Sequence, residues 1–200
     1  MTEAARLNIL RTESSLRPLL ERNFDFSPRP AQAKSSLFHL ADDASFELIG
    51  SDASGGEFVL CASGQLPRRP LLFVSSEGQA GVIGRNLEEG LSTIIAIPFW
   101  MDCLKFSGGG QLVEMRRVIP LSEAEMLEDS PRFDSSRQVL KTRLELQPLI
   151  DPVQTLHKAV TELSPLFPAY GSDGSQFRTL FNTFTVMSNP QWRRKLSNSE

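Results

Sequence analysis

The sequence predicts an α+β protein: a central, mostly antiparallel sheet of about four to six strands, packed by helices, with a helical C-terminal extension. Three observations predict it. Between residues 46 and 84, short β-branched or aromatic runs alternate with glycine-rich turns, and no connection is long enough for a crossover helix. A capped helix signal follows at Asn86. Beyond residue 120, apolar residues recur at helical spacing.

The elements follow in order. Leu7, Leu10, Leu16 and Leu20 recur among charged residues and predict a helix over 2–23. Pro18 kinks it or starts a second short helix near Ser15. Residues 25–36, rich in Pro and Ser, read as a loop. Strands are predicted at 46–49, 58–61, 71–74 and 81–84. The first two are joined by a turn in which Gly55 and Gly56 supply positive φ. Asn86 is a helix N-cap, and Glu89 completes its capping box. Leu87, Leu91, Ile94 and Ile95 mark one face, and Pro98 ends it. Ser107-Gly108-Gly109-Gly110 reads as the most flexible stretch of the chain.

The C-terminal half reads as mostly helical. Ser122 and Glu125 form a second capping-box pattern, with Leu121 and Met126 as its staple. Asp151-Pro152 supplies an Asp cap and a first-turn proline. Leu149, Ile150, Val153, Leu156, Val160 and Leu163 line one face of that helix. Residues 176–186 are expected to pack back on the core, and Arg193-Arg194-Lys195 with the polar end 197–200 reads as a frayed terminus. The organisation expected is an α+β core over 1–120 and a helical extension over 121–200, packed on the same core.

Scarce residues exclude several chemistries. With two Cys and two His among 200 residues, no pair has zinc-ligand spacing, so no metal and no cofactor is expected. Cys61 and Cys103 sit among apolar residues and read as packing. Neither the Cys103–His157 nor the Cys61–His39 pairing has a local catalytic signature. Gly78, Gly81 and Gly84, like Gly108 to Gly110, read as turn glycines rather than a phosphate loop. Asp42-Asp43 reads as a solvated turn, and Glu88-Glu89 as favourable charge in a helix first turn. The formal charge of -3 and the scattered pairs Arg68-Arg69, Arg116-Arg117 and Arg193-Arg194 argue against nucleic acid. The N-terminus has no apolar signal segment, and no run is long enough to span a bilayer, so a cytoplasmic location without membrane contact is expected.

The runs FELIGSDASGGEFVL, PLLFVSSEGQAGVIGRNLEEGLSTIIA and IPFWMDCLKFSGGG together resemble the SUKH superfamily, the bacterial relatives of the yeast Smi/Knr regulators. The resemblance rests on Phe46, Leu48, Gly50, Asp52, Gly55, Gly56, Phe58, Glu77, Gly78, Val82, Asn86, Leu87 and Leu91. Pro98, Trp100, Asp102, Leu104 and Phe106 look like an extension found in one bacterial subgroup. It covers about residues 38–110. It implies an α+β fold with no catalytic residues, and signature positions that are structural. It also implies a protein partner, as in immunity proteins that bind and neutralise a cognate toxin domain. The alternative is a regulatory or scaffold protein without a toxin, as in the yeast relatives. An inhibitor of a basic toxin gains from negative charge, and the acidic excess falls within residues 1–105. Trp100, following Pro98 and Phe99, reads as core rather than as an exposed anchor.

Overall fold

Two of the central strands carry unbroken apolar runs, Phe58-Val59-Leu60-Cys61 and Leu71-Leu72-Phe73-Val74. Such runs suit strands covered on both faces. The computed structural model, which describes residues 1–62 and 66–197, places them at the middle of a five-stranded antiparallel sheet. Its strands are β1 (Ser27–Pro28), β3 (Phe46–Ser51), β4 (Glu57–Cys61), β5 (Leu71–Val74) and β6 (Ala80–Gly84), in that spatial order. A separate ribbon pairs β2 (His39–Leu40) with β7 (Ala169–Tyr170). The chain is therefore α+β, with a meander flanked by helices.

Each face of the sheet has its own core. Phe58, Leu60, Leu71, Phe73 and Ile83 face the helices. These are α1 (Glu3–Thr12), α2 (Arg17–Phe24), α3 (Leu87–Ala96), α4 (Trp100–Lys105), α5 (Leu112–Asp129), α6 (Phe133–Arg143), α7 (Pro152–Lys158) and α8 (Pro190–Ser197). This cluster runs from Leu7 to Trp192, so both halves of the chain contribute to it. Val59, Cys61, Leu72, Val74 and Val82 face the opposite way, against Phe38, Leu40, Ala159 and Ala169.

Several boundaries follow the sequence. The N-terminal segment breaks into two helices, with Pro18 in the first turn of α2. Asn86 caps α3 by accepting from the Glu89 N–H at 3.0 Å. Asp151 caps α7 by accepting from the Gln154 N–H at 2.9 Å.

Others are corrected. The Glu89 carboxylate returns its bond to the Arg85 N–H rather than to Asn86, so the capping box is shifted by one residue. Ser122 starts no helix. It lies buried inside α5, which runs through Pro120, and its hydroxyl donates to the Ile119 carbonyl. Glu125 instead accepts from the Trp192 indole at 2.7 Å. Trp192 is fully buried, so α8 is docked rather than frayed; residues 198–200 lie outside the described residues. Ile150 is fully exposed, because the chain enters α7 only at Pro152. Residues 25–36 include the short strand β1, which covers part of the β3 edge.

Gly55 has the expected positive φ, +90°, but Gly56 does not. A side chain on Gly56 would strike the Phe73 ring and the Asp52 carboxylate, so close approach explains it. Gly81 and Gly84 also lie within β6 rather than in a turn. Gly84 lets the backbone of Gly90 in α3 press directly on the strand.

The 108–110 loop is not loose. All three glycines sit at positive φ, at +60°, +82° and +91°. That conformation turns the Gly108 and Gly109 N–H groups toward the C-terminal segment, while Gly110 donates to the Ser107 hydroxyl at 3.0 Å. Gly108 donates to the Phe184 carbonyl and Gly109 to the Asn182 carbonyl, both at 2.7 Å. Their permissive backbone serves a fixed clasp instead of a hinge.

Candidate functional site

Acidic residues cluster at two places on the helix-covered side of the sheet, and they are treated differently.

At the first place, near the start of α1 and α3, every carboxylate meets an arginine. Arg69 bridges Glu3 at 2.7 Å and Glu47 at 2.8 Å. Arg11 meets Glu47 at 2.7 Å. Arg6 meets Glu88 at 3.1 Å and also donates to the Leu144 and Glu145 carbonyls. Arg6 is only 2% exposed, so these bonds stand in for its lost hydration. Burial would raise the Glu47 carboxyl, but hydrogen bonds from Arg11 and Arg69 outweigh it and hold the group below its ordinary value. A cavity of about 520 Å³ opens here, lined in part by Asn86, Leu87 and Arg68. Arg69 is a half-buried tie between α1 and β3.

At the second place the carboxylates lack arginines. Asp52, Glu77 and Asp102 line one cleft of about 250 Å³ and form no ion pair among the described residues. The elements that position them are local. Asp52 closes the β3–β4 turn by accepting from the Gly56 N–H at 2.6 Å and from the Ser54 hydroxyl at 2.9 Å. Glu77 sits exposed in the β5–β6 turn, where the Ser75 hydroxyl accepts its N–H. Asp102 lies in the first turn of α4, where negative charge is favoured by the helix dipole. Burial raises the Asp102 carboxyl above its ordinary value; Lys105 opposes the shift and Glu125 adds to it. Lys105 is the cation among the described lining residues.

The floor is aromatic. Trp100 is 2% exposed and meets Phe73 edge to face, with ring centroids 5.1 Å apart. The core reading of Trp100 thus holds, and the indole also lines the cleft. The neighbouring Phe99 is 37% exposed and held in the left-handed region at φ +48°, an unusual conformation for a bulky residue.

The structure thus brings together Asp52, Glu77 and Trp100 from the signature set. Gly55, Gly56 and Gly78 shape the two turns that carry the acids. Phe46 lies elsewhere, stacked on Phe38 on the opposite face at 4.7 Å. Gly50 lies within β3 against the Phe26 ring. Asn86 and Leu87 lie at the arginine-neutralised end. Leu180 and Asn182 complete the cleft from a segment some eighty residues away, and no local signal marks them.

The nucleophile candidates are sequestered. Cys61 and Cys103 are fully buried, and burial pushes both thiols up to about 12. His157 binds the Gly110 carbonyl through Nε2 at 2.9 Å, while the Cys103 thiol points its hydrogen bond at the Met115 carbonyl. Among the described residues no three His, Cys, Asp or Glu side chains group as a metal site. Nor is any described helix long and apolar enough to cross a membrane.

Among known proteins, no family, no curated protein and no solved structure matches the chain.

Proposed function

We propose that this chain is a non-catalytic binding protein of the SUKH type, an immunity protein that neutralises a cognate bacterial toxin by engaging a basic face of it. It acts in the cytoplasm and needs no cofactor. One observation carries the reading: three carboxylates without an arginine partner, Asp52, Glu77 and Asp102, converge on one aromatic-floored cleft. Unpaired carboxylates at a partly apolar surface attract lysine and arginine from a partner, steering encounter and setting register. Phe99, exposed beside Trp100, offers an aromatic contact of the kind that dominates interfaces.

The experiment is co-expression with the toxin domain encoded beside the gene. The expected result is a stable complex and protection of the host. A Glu77→Lys chain, with its fold intact, should weaken both. A complex that forms equally well with Glu77→Lys and Asp102→Lys removes the cleft from the interface. No complex and no protection with the wild-type chain overturns the immunity reading.

A further inference from the structure

The C-terminal segment divides two cavities. Leu180 and Asn182 line the acidic cleft, while Thr179 and Phe181 line a groove of about 490 Å³ on the other side, beside His157. Extended backbone alternates its side chains, so one segment makes a wall with two faces.

This wall is lightly held. From residue 178 to residue 197, only Leu180, Val186 and Trp192 are buried, spaced along the chain like three pegs. Between them the segment is tied by backbone hydrogen bonds. Arg178 exchanges bonds with Gly78 and Ala80 at the β6 edge. Asn182 donates to the Leu104 carbonyl, and the glycine clasp holds the Asn182 and Phe184 carbonyls. The far end is fixed by Trp192, whose indole donates to Glu125. The sheet, by contrast, is buried on both faces. Segments with few buried side chains and exposed backbone bonds open well below the global unfolding free energy.

We propose that residues 178–197 form a latched strap that opens as one unit while the sheet stays folded, with Trp192 as the latch. Opening removes the shared wall, joins the acidic cleft to the His157 groove and frees the Gly108 and Gly109 N–H groups. The strap therefore controls whether the cleft exists as a separate recess. This inference stands whether or not the cleft takes a toxin.

Native-state hydrogen exchange of the full chain tests it. The amides of Ala80, Gly108, Gly109, Arg178 and Asn182 all bond across the strap boundary. They should share one protection level, at least ~100-fold below that of the β4 and β5 amides, with weak denaturant dependence. Trp192→Ala should speed their exchange by ~100-fold or more and leave β4 and β5 unchanged. Trp192→Phe keeps a ring but loses the bond to Glu125, and should speed the same five amides by ~10-fold. If the five exchange together with β4 and β5 and with the same denaturant dependence, the strap is no separate unit. If they separate into unrelated rates in both variants, Trp192 is not its latch. Either result overturns the proposal.

Discussion

The acidic end at Glu3, Glu47 and Glu88 and the acidic cleft at Asp52, Glu77 and Asp102 hold the same kind of side chain for different ends. In the first region, arginines from distant segments reach each carboxylate, so its charge ties elements together. In the second, none of the three forms an ion pair among the described residues; burial raises Asp102, and Lys105 offsets this only in part. A carboxylate that is partly desolvated and unpaired costs stability. Here that cost falls on a concave surface, which is the basis of the binding role proposed above. Composition could not separate these two groups, because it counts charge without its neighbours.

The comparison can be broken at its strongest point first. Arg6→Ala removes the buried guanidinium that joins α1 to Glu88 and to the end of α6. It should cost about 3–5 kcal/mol in urea unfolding, as expected for breaking a buried pair. A loss under 1 kcal/mol would mean that the arginine-rich end contributes little.

Next comes the cleft. Glu77→Lys should leave unfolding stability within about 0.5 kcal/mol, since Glu77 is exposed and unpaired. Partner association should fall by roughly tenfold, mainly in the on-rate, with a weaker salt dependence. Stopped-flow association at two ionic strengths reads this directly.

Glu47→Gln should cost about 1 kcal/mol, because its two ion pairs are partly solvent-exposed. Its pH profile carries the sign. The Glu47 carboxyl is depressed in the fold, so its contribution is present above the unfolded-state value and is lost as pH falls through the folded value. The variant should therefore be less sensitive to acid.

Asp102→Asn gives the smallest effect, with the opposite sign. The Asp102 carboxyl is raised, so the folded state binds the proton more tightly than the unfolded chain. Stability then falls as pH rises from the unfolded value through the raised one. Asn at 102 should match or exceed wild-type stability at neutral pH and remove that slope. Unfolding curves between pH 3 and pH 8, on the order of single pH steps, settle the sign.

Local signals carried much of the fold. The strands at β3 to β6 are marked by apolar runs between glycine turns, and α3 and α7 by caps that the structure retains. Three of the departures share one cause: a local pattern met a distant partner. Ser122 and Glu125 look like a helix start until Trp192 arrives to occupy Glu125. The glycine run looks like a break until the Asn182 and Phe184 carbonyls fill its N–H groups. Arg193-Arg194-Lys195 looks like a fraying end because the one anchor, Trp192, is a single residue without a periodic face.

The site divides the same way. Asp52, Glu77 and Trp100 are legible as residues, each at a turn or a helix start. Their meeting is not, since it depends on how β3–β4, β5–β6 and α4 are stacked. The α+β class and the meander were legible in the chain because turns, caps and apolar runs act over a few residues. Which acids meet an arginine and which do not is set by the packing of remote segments. Charge pairing is a contact between remote segments, and arginines from residues 6, 11 and 69 reach one acidic group while none reaches the other.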